Sequence, residues 1–148
     1  MNVLVYKINR SDDGFSATLG QRMEVDDESY GPVCSISLSG DDLVYSTFYG
    51  GLFFHTRKFD AYTRTQDMAF ESSTELFEYP LVMAGNVLAM SVKNDVYMYM
   101  RDPDGNAWER EDLVLRALAT AISRGNLLLA SNGEVTAFIM VQCNYIMK

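Results

Sequence analysis

The chain has 148 residues, enough for one domain with a real core, and its 48% apolar and 12% aromatic content excludes wholesale disorder. Twelve basic residues against twenty acidic ones leave a net charge of −8, so the surface repels phosphate backbones and a nucleic-acid partner is not expected. No apolar run approaches the length of a membrane span, and the opening Met1-Asn-Val-Leu-Val-Tyr-Lys7 turns polar too early for a secretory signal, so membrane insertion is not expected and the expected location is intracellular.

The elements read in order as short strands. Val3-Leu-Val-Tyr-Lys-Ile8 is a strand, followed by the aromatic Phe15 and the stretch Ser16-Ala-Thr-Leu-Gly-Gln21. The acidic cluster Glu24-Val-Asp26-Asp27-Glu28 forms a connection. Ser35-Ile-Ser-Leu-Ser-Gly-Asp-Asp-Leu-Val-Tyr-Ser46 is strand, turn and strand, and Gly51-Leu-Phe-Phe-His-Thr-Arg57 is a third strand. Tyr62 then precedes Thr63-Arg-Thr-Gln-Asp-Met68. The same phrase returns as Leu81-Val-Met-Ala-Gly-Asn-Val-Leu-Ala-Met-Ser91, Asp95-Val-Tyr-Met-Tyr-Met-Arg101 and Trp108. It returns once more as Ala121-Ile-Ser-Arg-Gly-Asn-Leu-Leu-Leu-Ala-Ser131 and Glu134-Val-Thr-Ala-Phe-Ile-Met140.

The turn glycines at 40, 85 and 125 are 45 and 40 residues apart, which marks internal repeats. Leu43-Val-Tyr-Ser46 and Val87-Leu-Ala-Met90 are near-continuous apolar runs, as in strands covered on both faces. The strand after them alternates more, and the last one of each copy carries charges. Asp112–Gly125 also fits an amphipathic helix, but its place in the repeat predicts a strand, a connection and another strand. The grading describes an all-β fold of antiparallel four-stranded β-propeller blades. There are about thirteen strands, or three to three and a half blades, in an incomplete ring. The blade units fall at 1–29, 30–75, 76–115 and 116–148. The first opens on its third strand.

Tyr30-Gly-Pro-Val-Cys-Ser-Ile-Ser-Leu-Ser-Gly-Asp-Asp-Leu-Val-Tyr45 and Val96-Tyr-Met-Tyr-Met-Arg-Asp-Pro-Asp-Gly-Asn-Ala-Trp-Glu109 resemble the β-propeller repeats of the integrin-α (FG-GAP) type. That family's calcium loop is not matched. Asp102-Pro-Asp-Gly-Asn106 lacks its spacing and its distal glutamate, so it reads as a tight turn and no calcium or other cofactor is expected.

The chemistry-bearing residues are few. His55, the only histidine, holds the strand position of Tyr6, Tyr99 and Phe138 and reads as a packing residue rather than a base. Cys34 and Cys143 have no neighbouring ligands at zinc spacing and read as buried free thiols. No phosphate loop, nucleophile elbow or metal helix is present, so neither catalytic nor metal residues are assigned. The function this supports is a non-catalytic interaction module or structural subunit, completed by a protein partner or by self-association. Its candidate interface is Phe48, Tyr49, Phe53 and Phe54, together with Glu24, Asp26, Asp27 and Glu28. The competing reading is a ligand-binding, cation-binding or hydrolytic propeller in which the turn acids Asp41, Asp42, Asp95 and Glu134 converge.

Overall fold

The computed structural model describes residues 2–25, 27–69, 81–92, 95–105, 107–115, 118–123, 126–131 and 134–139; its side chains are described as far as residue 111, those of 27 and 28 apart. Among the described residues lie thirteen strands in four antiparallel sheets. Strands β1 (Asn2–Ser11) and β2 (Gly14–Glu24) form a pair. After a four-residue helical turn, Asp27–Tyr30, come β3 (Val33–Ser39), β4 (Asp42–Thr47), β5 (Gly51–Lys58) and β6 (Ala61–Ala69), paired in chain order. Strands β7 (Leu81–Ala84), β8 (Val87–Val92), β9 (Asp95–Arg101) and β10 (Trp108–Leu115) repeat that meander. Strands β11 (Leu118–Ser123), β12 (Asn126–Ser131) and β13 (Glu134–Ile139) form a three-stranded sheet. The fold is thus an incomplete propeller: the outer pair of one blade, two four-stranded blades, and three strands of another. Of the stretch 112–125, ambiguous between helix and strand, the described residues form the end of β10 and all of β11.

The turn glycines do what their conformation requires. Gly40 (φ +59°) and Gly85 (φ +57°) hold the same left-handed position between the first and second strands of their blades. One non-glycine residue among those described shares this region. Phe59 (φ +59°) caps the two-residue β5–β6 turn with its ring fully exposed.

Alternation along β4 and β5 explains their continuous apolar runs. Leu43, Tyr45 and Phe53 point toward the β1–β2 pair and pack with Val3, Met23, Val25 and Tyr62. Val44, Leu52 and Phe54 point the other way and pack with Leu81, Met83, Leu88, Met90, Tyr99 and Trp108. One sheet therefore serves two cores. Successive side chains of a strand face opposite sides, so both parities must be apolar.

Hydrogen bonds tie the blades in a repeated way. Gln21 Nε2 donates to the carbonyl of Tyr62 (2.8 Å), and the Tyr62 N–H donates to Gln21 Oε1 (2.6 Å). Forty-five residues on, Gln66 Nε2 donates to the carbonyl of Trp108 (2.8 Å) and the Trp108 N–H donates to Gln66 Oε1 (2.7 Å). Each glutamine amide thus occupies both hydrogen-bonding groups of one residue in the outer strand of the next blade. It acts there as a single peptide unit of an added strand would. Near the axis, the Leu81 and Gly85 amides donate to Ser35 Oγ (3.0 Å) and Ser39 Oγ (2.9 Å).

The pairing register also corrects one equivalence. Phe15 follows Val3 at the same 12-residue offset as Trp108 follows Val96, yet Phe15 is exposed while Tyr62 and Trp108 are buried. Tyr62 pairs with Arg57 and Trp108 with Arg101, and the matching pair in the first sheet is Ala17 with Ile8. The β1–β2 hairpin is two residues longer on each strand, so Phe15 sits beyond the aromatic position.

Replacing Gln66 with Glu keeps its shape but removes the donor to Trp108, so the carbonyl loses its partner. Gln66→Glu is expected to lower stability by about 1–3 kcal/mol. Urea denaturation of the two proteins measures the difference.

Candidate functional site

The turn acids are engaged in structure. The Asp41 carboxylate accepts from Arg57 Nε (2.9 Å) and pairs with Arg57 Nη2 (2.5 Å) across the β3–β4 and β5–β6 turns. Asp42, buried at the start of β4, accepts from Thr56 Oγ1 (2.9 Å) and forms an ion pair with Arg101 of the following blade. The Arg101 guanidinium also lies 5.2 Å from the centroid of the Trp108 ring. Both charges are largely removed from water, so this bridge locks two blades by mutual neutralisation. In the 102–106 turn, the Asp102 carboxylate accepts from the Ala107 N–H (3.1 Å), and Gly105 adopts φ +69°. Asp95 opens β9 half-buried, and the side chain of Glu134 lies outside the described residues. Among the described residues no cluster of three or more His, Cys, Asp or Glu side chains could hold a metal ion. No described helix is long and apolar enough to cross a membrane.

His55 is buried and stacks on Tyr45, with ring centroids 5.3 Å apart. Its register partner is Leu43, just as Leu88 is the partner of Tyr99, so histidine stands where the next blade has tyrosine. Burial is the main cause that pushes its pKa below the ordinary 6.5; Arg64 adds to this, and a hydrogen bond to the Phe53 backbone opposes it. Nδ1 has no hydrogen-bond partner among the described residues. Burial likewise pushes the Tyr99 hydroxyl up to about 12. Cys34 is a half-buried thiol 3.7 Å from the Pro32 carbonyl; Cys143 lies outside the described residues.

The aromatic segment splits. Phe53 and Phe54 are core residues, not surface anchors, because β5 is covered on both faces; Phe54 stacks on Trp108 at 5.5 Å between ring centroids. Tyr49 is exposed and Phe48 half-buried beside it. Their loop is held by the Phe48 and Tyr49 amides, which donate to the Pro32 and Tyr30 carbonyls (2.9 and 3.0 Å), and by the Gly51 N–H, which donates to Thr47 Oγ1 (3.1 Å). A Cβ on Gly51 would lie 2.5 Å from the Phe53 ring, so only glycine fits. Glu24 is exposed at the end of β2. Asp26 lies outside the described residues, as do the side chains of Asp27 and Glu28, whose backbone forms the helical turn.

Most of the exposed large apolar side chains among the described residues lie elsewhere. Leu4, Tyr6, Ile8 and Leu19 are exposed on the face of β1–β2 turned away from β4 and β5. Register equates Leu4 with Phe53 and Tyr6 with His55, both buried by a preceding sheet. Beside them, Ile36 and Leu38 of β3 are 49% and 59% exposed, whereas the equivalent Leu81 and Met83 of β7 are 6% and 7% exposed. These positions are absent from the candidate set read from the sequence. The signal was the leading half-blade itself, since a two-strand sheet leaves positions uncovered that a four-strand sheet would bury.

Two outcomes follow from the buried polar groups. Asp42→Ala leaves Arg101 in a largely buried site without its carboxylate, and is expected to cost about 3 kcal/mol in urea unfolding. His55 carries a folded pKa below its unfolded one, so the unfolded chain binds the extra proton. Stability from this group is complete above pH 6.5 and falls as the pH drops below it. The difference in stability between His55→Phe and the unaltered protein, followed from pH 7 to pH 5, should move in favour of the variant as the pH falls.

No family model matches the chain, and no curated protein matches it. Among solved structures it is similar to a protein from Lactobacillus plantarum, at 11% identity and a TM-score of 0.56, over 91% of this chain and 50% of that one. The chain therefore spans half the length of that structure. The computationally designed Ika4 protein aligns at 12% identity and a TM-score of 0.36, over 74% of this chain and 92% of that one.

Proposed function

We propose that this chain is a non-catalytic protein-interaction module, a structural subunit built from propeller blades and completed by another chain or by self-association. The observation that carries this reading is the exposed row Leu4, Tyr6, Ile8 and Leu19. In the next blade Leu4 and Tyr6 correspond to the buried Phe53 and His55, while Ile8 and Leu19 correspond to the exposed Arg57 and Arg64. A contiguous apolar sheet face of this kind marks an interaction surface. Kinship with FG-GAP-type repeats belongs to the same proposal, through the β9–β10 strand pair with its Val96-Tyr-Met-Tyr run and Trp108. The turn acids support a structural rather than a hydrolytic role, since Asp41, Asp42 and Asp102 are each held by an arginine or a backbone amide.

Light scattering over a wide concentration range, combined with binding of an apolar dye, tests the reading. The unaltered chain should associate with itself and bind the dye. The double variant Tyr6→Lys, Leu19→Glu should be monomeric with an unchanged melting temperature, because both side chains are exposed. A monodisperse unaltered monomer that binds no dye would overturn it.

A further inference from the structure

The sheet β3–β6 carries the sheet β7–β10, and β7–β10 carries β11–β13. The two junctions match in backbone and differ in side chains. Strand β11 lies against β7, β8 and β9, much as β7 lies against β3 and β4. Register equates the two seats position by position. Asp42 pairs with Thr56 in the earlier sheet and Val87 with Met100 in the later one. Val44–Phe54 likewise matches Ala89–Met98, and Ser46–Leu52 matches Ser91–Val96. Ser39, just before its turn, matches Ala84.

The earlier seat is rich in groups that orient what sits on it. Asp42 holds Arg101, and Thr56 Oγ1 donates to that carboxylate and accepts from the guanidinium. Ser39 Oγ accepts from the Gly85 N–H, and Gln66 clamps Trp108. The later seat has Val87, Met100 and Ala84 at the positions of Asp42, Thr56 and Ser39. None of the three can carry a charge or donate a hydrogen bond from its side chain. Strand β10 contains no glutamine to repeat the clamp. Ser46 and Ser91 are buried in both sheets and do not distinguish the junctions. The apolar groups are smaller as well. Ala89 stands for Val44, Val96 for Leu52, and Met98 for Phe54, whose ring stacks on Trp108. Less apolar surface is available at each position, and apolar contact sets no direction.

We infer that the structure opens at the later junction: β11–β13 lifts as one hydrogen-bonded sheet from a seat of Val87, Ala89, Val96 and Met98, while the sheets before it stay assembled. Local opening follows the least stabilised contact surface. All four seat residues are buried, so the opening converts a core face into an apolar surface. This gate is separate from the exposed row on β1 and β2 and does not depend on the interaction-module reading.

Native-state amide hydrogen exchange of the full chain, in water and in urea below the unfolding transition, tests the gate. The slowest amides of β12 and β13 should exchange about tenfold or more faster than the slowest of β4, β5, β8 and β9, with a shallower dependence on urea. Met98→Ala should speed β12 and β13 by about tenfold more and leave β4 and β5 at their original rates. Val96→Ala, a smaller truncation, should act in the same direction by less. Two results would overturn the inference. One is equal protection of the slowest amides in all these strands, which makes the chain a single cooperative unit. The other is fast exchange of β12 and β13 that neither variant alters, which is fraying of the strands themselves rather than release from the seat.

Discussion

Strands β4 and β5 send neighbouring side chains to two different cores. Leu43, Tyr45 and Phe53 meet the sheet before them, and Val44, Leu52 and Phe54 meet the sheet after. That double commitment is the constraint on which the rest of the structure depends. A sheet apolar on one face can end in water, and its second face can be polar. A sheet apolar on both faces is stable only between two neighbours. The unit that holds together is therefore the junction between blades rather than the blade.

Apolar contact of this sort is not directional, so something else must set how one blade sits on the next. Polar links do so at three radii. The Ser35 and Ser39 hydroxyls fix the innermost strand of the next blade, and the Asp42–Arg101 pair with Thr56 fixes its middle. Gln21 and Gln66 fix the outermost strands. Each link runs from the earlier blade to the later one. The glutamines also cover part of an exposed strand edge, which limits pairing with other chains. A largely desolvated pair such as Asp42–Arg101 contributes little net stability but penalises any misdocking that would separate its charges.

The strand order was legible in the sequence because its marks are local. Gly40 and Gly85 punctuate runs of fixed parity, and the third and fourth strands at the chain's opening could be matched to later copies. Residues 112–115 and 118–123 are strand, as their position in the repeat predicts against their helical periodicity. The placement of Phe53 and Phe54 on a surface failed because β5, read as an alternating strand, is covered on both faces and leaves neither parity exposed there. The glutamine clamps were not legible. Gln21 and Gln66 lie in matching polar stretches, but a single amide carries no period, and its role depends on a backbone bulge at Gly20 and at Thr65 that turns the side chain toward the next blade. Ile36 and Leu38 were hidden for another reason. Their type says core, and only the missing strands beside β1 make them surface.

Seven of the ten exposed large apolar side chains among the described residues belong to β1, β2 and β3: Leu4, Tyr6, Ile8, Phe15, Leu19, Ile36 and Leu38. Isolated apolar residues scatter over any protein surface and need no account. Concentration at one end does need one, and among the described residues four of the seven follow from two absences: no sheet covers Leu4 and Tyr6, and no hairpin beside β1 covers Ile36 and Leu38. Ile8 and Leu19 hold positions that the next blade gives to the exposed Arg57 and Arg64, and Phe15 stands on the extended tip of its hairpin. The net charge of −8 opposes nonspecific clumping but covers none of this surface. The two absences also differ in what can fill them. The outer face of β1–β2 accepts any sheet of matching shape, because apolar packing sets few terms. The edge of β1 demands an extended strand in one register, because backbone donors and acceptors must meet their partners. In the interaction proposed for this chain, a strand edge would set selectivity and the apolar face would add area.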